Sequence, residues 1–323
     1  MTYLLSLGEI CSTLRALLHD AVKRNLADGI LLSGGLDTGI LASIASRFVS
    51  LKAFTAALRG VPAPDVEYAT LMAGKLGVRH LVHLFDMNEL LEAIPVVVNV
   101  MRSFDPMEVR NSVTIYIALR LAKESGVSVL MTGDGCDELF AGYSYLLDLE
   151  GERLESELQK FSSAMTFSSV SLAENLGIRA ELPYLDPELE SYAMRLNTQF
   201  KIHEERGQKW GKWVLRKAFE GLLPDEVLWR VKTPIEYGSG THTLPAKLNQ
   251  MISDNEFEEE KRKYLEKDNV AIRDKEQLFY YREYRKLLGA PHPIDSRSRI
   301  CPKCNSNVAD RVNYCRTCGA YPI

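Results

Sequence analysis

Apolar residues near the start of the chain, Leu14, Leu17, Leu18, Ala21 and Val22, recur at helical spacing and predict an opening helix. A short apolar run at 29–32 follows and stops at Ser33-Gly34-Gly35, which reads as a strand and a glycine-rich turn. Ile40, Leu41, Ile44, Ala45 and Phe48 then return to helical spacing, so a helix begins near Asp37. The pattern continues with a strand at 51–58, a proline-containing loop at 61–65, a helix at 66–76 and a third strand at 80–85. Two helices are expected at 90–101 and 113–125, then a fourth strand at 127–131 ending in Thr132-Gly133-Asp134-Gly135. Strands alternating with helices predict an α/β fold around a parallel sheet, with ligands at the carboxyl ends of its strands.

From Leu146 onward the pattern is mostly helical, punctuated by Pro183, Pro187 and Pro224, with a glycine-rich loop at 232–243. The charge run at 254–268 reads as a solvated helix face. Phe279, Tyr280, Tyr281 and Tyr284 lie at helical spacing and are expected in a core rather than on a base-stacking platform. The expected organisation is a body at 1–290, a linker at 291–300 and a small module at 301–323. There is no internal repeat.

Composition adds limits more than it adds identity. The chain has 323 residues, 46% hydrophobic and 25% charged, with a net charge of -4, which is ordinary for a globular protein. The longest apolar stretch, 94–101, holds Pro95 and Asn99, far short of the roughly 18 residues a membrane span needs. The first residues lack a basic segment and carry Glu9, so no secretory signal is expected and the cytoplasm is the expected location.

Six cysteines in such a chain point to metal or redox chemistry before disulfides. Cys301-x2-Cys304 and Cys315-x2-Cys318 have the spacing of a structural Zn²⁺ site with four thiolate ligands, and Gly319 allows the turn after the second pair. So short a module cannot build its own core, so the metal supplies much of its folding free energy. The module is basic while the body is acidic, and its expected roles are contact with RNA, docking of a protein partner, or capping of the body. His80 and His83, three apart on a strand, face opposite sides and make no second metal site. Cys11 is expected to be buried on the opening helix.

Ser33 to Thr38 lies between a strand and a helix, where backbone N–H groups and a helix N-terminus can hold a polyanion. Asp37 beside phosphates implies an intervening cation, read as Mg²⁺. No lysine follows the second glycine, so this is not a Walker A loop. Asp134, Asp137 and Glu138 form a second cluster after the fourth strand, and Cys136 inside it reads as a passive thiol.

These residues resemble a known family. LLSGGLDTG resembles the SGGxD[S/T] loop of the N-type ATP pyrophosphatases, and TGDGCDELFAGY resembles the GEGxDExFGGY segment of asparagine synthetases. SFDPMEVRNS is similar to that family's aspartate-site segment, LPYLDPEL to its VPFLD segment, KWGKWVLRKAFEGLLP to its K-x-x-K-x-x-LR helix and RVKTPIEYGSG to its R-x-K loop. The resemblance covers about residues 10 to 290. It implies the ATP pyrophosphatase fold, also called adenine nucleotide alpha hydrolase-like, with a helical C-terminal half. It also implies adenylation of a substrate carboxylate by ATP, followed by attack of ammonia or an amine. Leu32, Ser33, Gly34, Gly35, Asp37, Thr38, Gly133, Lys209 and Lys212 are then the nucleotide-site candidates, and Asp37 and Asp137 the Mg²⁺ ligands. Asp134, Glu138, Lys232 and Arg110 are the catalytic candidates: Asp134 stands where the family has a catalytic Glu, Lys232 would stabilise departing pyrophosphate, and Arg110 matches an arginine associated with aspartate binding.

Two departures bear on the substrate. Met107 replaces a threonine three residues before Arg110, and Glu181 stands where the family commonly has arginine, while Asp186 is retained. These changes would alter recognition of an α-carboxylate. Residue 2 is Thr and only 32 residues precede Ser33, leaving no room for the family's glutaminase, so free ammonia, a separate glutaminase or another amine is expected as nitrogen source. An adenylating enzyme of RNA, thiolating or amidating tRNA through the cysteine module, is the principal alternative. A non-catalytic nucleotide-binding scaffold is the third reading, opposed by the presence of both metal aspartates.

Overall fold

The computed structural model describes residues 6–162, 165–295, 298–309 and 312–323. In chain order the elements open with α1 (Leu7–Arg24), β1 (Gly29–Leu31), α2 (Leu36–Ala45), β2 (Lys52–Leu58), α3 (Pro64–Leu76), β3 (Arg79–Phe85), α4 (Met87–Met101), α5 (Pro106–Glu124), β4 (Val129–Met131) and α6 (Cys136–Phe140). They continue with α7 (Gly151–Ser162), α8 (Ser168–Asn175), β5 (Arg179–Glu181), α9 (Pro187–Arg195), α10 (Thr198–Lys201), β6 (Ile202–Glu205), β7 (Gln208–Gly211), α11 (Trp213–Ala218) and α12 (Asp225–Leu228). The chain closes with α13 (Ile235–Gly238), α14 (Leu244–Met251), α15 (Asp254–Asp268) and α16 (Lys275–Leu288). Among the described residues no helix is long and apolar enough to cross a membrane.

The chain forms two compact units. The first holds the chain up to Thr55, Pro64–His83 and Ala118–Pro234; the second holds Ala56–Ala63, Leu84–Ile117 and Ile235–Ile323. The first unit carries the body of a five-stranded sheet in the order β3-β2-β1-β4-β5, with the β1–β2, β1–β4 and β4–β5 pairs parallel. From β1 the chain steps outward through β2 and β3, then returns past β1 to lay down β4 and β5. The order reverses between β1 and β4, and in an open α/β sheet the crevice at such a reversal is where ligands bind. The register Ile30↔Met131 brings the ends of β1 and β4 side by side, so the loops that follow them are neighbours.

Sequence reasons for the elements are local. α1 begins with a capping box between Ser6 and Glu9 and buries Ile10, Cys11, Leu14, Leu18, Ala21 and Val22 along one stripe. α2 is apolar almost all round and every residue after Asp37 in it is buried. Two features differ from the pattern reading. α5 starts at Pro106, behind the capping carboxylate of Asp105, and not at 113; the buried polar Ser112 and Thr114 interrupt the apolar period on which the later start rests. The K-x-x-K segment is not one helix: Lys209 lies on β7 of the β6–β7 hairpin, and Lys212, at φ 54°, precedes α11. In the second unit the charge run forms α15, capped by Ser253 and Glu256, and Tyr280, Tyr281 and Tyr284 of α16 are buried as expected.

Candidate active site and a four-cysteine centre

Two loops build the site in the first unit. After β1, Gly34 turns the chain at φ +68°, and a Cβ there would stand 2.2 Å from the Ala69 backbone nitrogen, so only glycine fits. Gly35 caps α2 without a side-chain hydrogen bond, which leaves N–H groups of the first turn of α2 directed at the crevice. The Ser33 and Thr38 hydroxyls are 3.3 Å apart. After β4, Gly133 packs against Thr38 and Asp37, where an added Cβ would lie 3.0 Å from Thr38 Cγ2. The two loops therefore touch at a position where a side chain would be tightly crowded. Leu32 is buried beneath them, bonded to Phe54 of β2.

Lys212 joins the two loops electrostatically. Its Nζ, on a side chain 5% exposed, lies 2.6 Å from both oxygens of Asp37 and 2.6 Å from Asp137 Oδ1. Burial works against its charge, but the carboxylates of Asp137 and Asp37 outweigh it and raise its pKa, so it stays an ammonium. Burial likewise raises the Asp137 carboxyl, yet Lys212 and Lys232 overcome that and hold it at about 2. Gly142 makes the approach possible: a Cβ there would stand 1.8 Å from Asp137 Oδ1 and 2.2 Å from Lys212 Cε. Carboxylate oxygens from Asp37 and Asp137 thus converge on one cation. Such hard oxygen donors suit Mg²⁺.

Asp134 sits in a different environment from its neighbour. The hydroxyls of Thr132, at 2.8 Å, and of Ser169 both donate to its Oδ2, and burial raises its pKa against those bonds. Glu138 accepts a 2.5 Å hydrogen bond from the Tyr143 hydroxyl and is also raised by burial. Within five residues, burial therefore raises two carboxyls, Asp134 and Glu138, while two ammonium groups lower a third, Asp137. Burial pushes the Cys136 thiol well up, so it is no nucleophile at neutral pH. The fully buried Tyr184 donates from its hydroxyl to the Asp37 carbonyl at 3.0 Å and fixes the turn from beneath.

The R-x-K segment lies over the first loop. Arg230 donates to the Ser33 carbonyl at 3.1 Å and to Asp65 Oδ1 at 2.6 Å, and its guanidinium lies 4.2 Å from the ring centre of Tyr68. Lys232 reaches Asp137 and lies 5.1 Å from the Tyr143 ring centre. Arg216 of α11 holds this segment through the carbonyls of Leu228 and, at 3.3 Å, Arg230.

Ser33, Gly34, Gly35, Asp37, Thr38, Gly133, Asp134, Asp137, Glu138, Lys212 and Lys232 are thus gathered at the ends of β1 and β4. Lys209 is elsewhere on the first unit, exposed and paired with Glu150 at 2.8 Å. Arg110 belongs to the second unit, on α5, its Nε 3.4 Å from Glu276 Oε1, and Met107 is exposed. Glu181 pairs with Arg179 on its own strand. Asp186 caps α9 and takes a two-pronged ion pair from Arg24 at 2.7 Å. Sequence reading had not singled out Ser169, Tyr184, Asp65 or Gly142. Gly142 and Tyr184 left a signal, lying inside TGDGCDELFAGY and LPYLDPEL.

In the second unit the Sγ atoms of Cys301, Cys304, Cys315 and Cys318 all lie within 4.8 Å of one another and are buried. Cys301 and Cys318 are 3.7 Å apart, Cys304 and Cys315 3.6 Å. Thiolates arranged tetrahedrally at about 2.3 Å from a metal stand about 3.8 Å apart, so the four sulfurs fit one Zn²⁺ with no open position. The two knuckles repeat one design: Asn305 N–H donates to the Cys301 carbonyl and Gly319 N–H to the Cys315 carbonyl, each from a residue with positive φ.

Residues 13–176 and 153–293 match the profile of the family described as asparagine synthase. Asparagine synthetase B [glutamine-hydrolyzing] of Escherichia coli (strain K12) is 32% identical over 273 residues, covering 76% of this chain and 48% of that protein. A probable asparagine synthetase [glutamine-hydrolyzing] of Dictyostelium discoideum is 29% identical over 309 residues, covering 84% of this chain and 53% of that one. The chain spans about half the length of these relatives. Among solved structures, NMN synthetase from Francisella tularensis aligns over 90% of this chain and 100% of its own, at 13% identity and a TM-score of 0.38.

Proposed function

The chain belongs to the asparagine synthase family, and from that premise we propose that it makes an amide from a carboxylate with ATP, releasing AMP and pyrophosphate. Hydroxide is a poor leaving group at neutral pH, and adenylation replaces it with AMP. A carboxylate oxygen attacks the α-phosphorus, the new O–P bond forming as the bond to pyrophosphate breaks. Nitrogen of ammonia or an amine, free or from a separate glutaminase, then attacks the acyl carbon and AMP departs. Aspartate is the first substrate to test, with Met107 and Glu181 as the positions where another specificity would be written.

The observation that carries this reading is the meeting of the two loops, with Asp37 and Asp137 converging on Lys212 beside the N-terminus of α2, which its cap residue leaves without a side-chain hydrogen bond. The N–H groups of that first turn and the Ser33 and Thr38 hydroxyls would grip the triphosphate. Arg230 braces the loop, and Lys232 would follow negative charge onto pyrophosphate as it leaves. Asp37 and Asp137 would hold Mg²⁺, which when bound supplies charge neutralisation to the phosphates. Asp134, its carboxyl raised by burial and one oxygen still free of the two hydroxyls, is suited to accept a proton from the attacking nitrogen, with Glu138 beside it. The four cysteines would hold structural Zn²⁺, contributing folding free energy and no chemistry.

Pyrophosphate release from ATP and Mg²⁺, with ammonia and a panel of aspartate, other carboxylates, amines and bulk tRNA, tests the proposal. Release that depends on a carboxylate and yields its amide supports it. Release that depends only on tRNA would transfer the chain to the RNA-modifying reading.

A further inference from the structure

The cysteine module is bonded into the second unit by its second knuckle. Three consecutive main-chain carbonyls of that knuckle are acceptors: Arg316 from the Ser103 hydroxyl at 2.8 Å, Thr317 from the Phe104 N–H at 2.8 Å, and Cys318 from Gln277 Nε2 at 2.7 Å. The Tyr314 hydroxyl donates to Asp105 Oδ2. Gly319 lies so close that an added Cβ would stand 2.1 Å from Asp105 Oδ1. The first knuckle adds a lighter hold, through the Ala271 N–H to the Lys303 carbonyl at 2.8 Å and Asn269 to Asn305 at 3.1 Å.

What the second knuckle grips is the entry to α5. Asp105 is 4% exposed, and its carboxylate faces the N–H groups of Met107 and Glu108 at 3.4 Å, so it caps the helix. Arg316 lies in the field of Glu108 one turn on. Gln277, the partner of Cys318, is the neighbour on α16 of Glu276, which faces Arg110. Both ends of the Arg110 environment, its own helix and its partner's helix, are thus tied to carbonyls whose directions depend on the fold of Cys315–Cys318. In a four-thiolate knuckle that backbone is set by the metal.

We propose that the metal-bound second knuckle is a positioning element for residues 103–110, with Tyr314 and Gln277 as its contacts, so that metal occupancy governs how well Arg110 is held for a substrate carboxylate. The last clause rests on the functional reading above; the mechanical coupling does not. This makes the module a built-in part of its unit.

Hydrogen exchange read by mass spectrometry, on the full chain with its native metal and after the metal is extracted, tests the coupling without any assay of turnover. Metal loss is expected to raise exchange over 103–112 ahead of the loops at 33–38 and 132–138. Because extraction can unfold the whole unit, Tyr314→Phe is the second arm. It should keep its full metal content and raise exchange at 103–112. It should also raise KM for the carboxylate about tenfold while kcat and the KM for ATP stay near wild type, the size of one lost hydrogen bond to a charged group. Unchanged exchange at 103–112 in both arms overturns the proposal. A chain that shows the coupling but turns over no carboxylate upholds it and defeats the functional reading instead.

Discussion

Replacing Asp137 with Asn separates the charge of this side chain from its shape. Its carboxyl is held at about 2, well below the usual aspartate range, by two ammonium groups that outweigh burial. A shift of that size corresponds to about 2 kcal/mol of preference for the anion. Asn keeps the volume beside Gly142, Lys212 keeps both oxygens of Asp37 at 2.6 Å, and Lys232, 35% exposed, can turn to water. The cost should therefore stay near 2–3 kcal/mol, below the roughly 3–5 kcal/mol of a fully orphaned buried charge. Thermal unfolding should move down by about 5 °C. A depressed acid contributes stability above its unfolded pKa and loses it as pH falls through the folded value. The wild type should accordingly lose this increment between about pH 4 and pH 2, and Asp137→Asn should not. Pyrophosphate release at saturating ATP should fall by about a hundredfold or more if the side chain helps hold the cation. A folded Asp137→Asn chain with undiminished release would refute the assignment.

Gly34→Ala must push a Cβ against the backbone of Tyr68 and Ala69, which cannot rotate away, so KM for ATP should rise about tenfold or more; a wild-type KM would show that the turn does not shape the phosphate site. Glu276 is raised to about 7, first by burial and against Arg110, with Tyr280, Asp274 and Arg273 also facing it. A raised acid stabilises fully below its unfolded pKa, so the wild type should lose stability from about pH 4.3 through about pH 7. Glu276→Gln should flatten that slope in denaturant titrations at stepped pH, and a persistent slope would assign it to another group. Phe104 is fully buried with ring centres of Tyr281 and Tyr284 at 4.9 and 5.1 Å, so Phe104→Ala should cost about 3–5 kcal/mol in the second unit. A loss under about 1 kcal/mol would contradict that packing.

Much of the site was legible because its two loops are each contiguous in sequence and follow strands with clear apolar runs. Ser33 to Thr38 and Thr132 to Glu138 announce themselves by glycines at positions where the backbone must turn or approach closely. What joins them was less visible, since it comes from afar: Ser169 is a single polar residue at the start of α8, and Tyr184, though inside LPYLDPEL, carries no sign there that its hydroxyl reaches the first loop. The two lysines of K-x-x-K illustrate the failure of periodicity. Helical spacing would put both on one face, yet the hairpin and the left-handed backbone at Lys212 send one to the surface and the other into the buried centre. The start of α5 was missed for a related reason, its inward face being polar where a pattern reading looks for apolar residues. The cysteine spacing disclosed the four-cysteine cluster, but not that the carbonyls of its second knuckle hold Ser103, Phe104 and Gln277, because main-chain acceptors leave no mark in a sequence.

Carboxylate activation itself has a direct isotopic test. The substrate carboxylate that supports pyrophosphate release, aspartate first, is supplied with both oxygens as ¹⁸O, and the AMP formed is read by phosphorus NMR or mass spectrometry. One ¹⁸O atom in each AMP is the predicted result, because the oxygen that attacked the α-phosphorus leaves with it when nitrogen takes its place. AMP formed without ¹⁸O would contradict the account, since ATP would then have been opened by some other nucleophile.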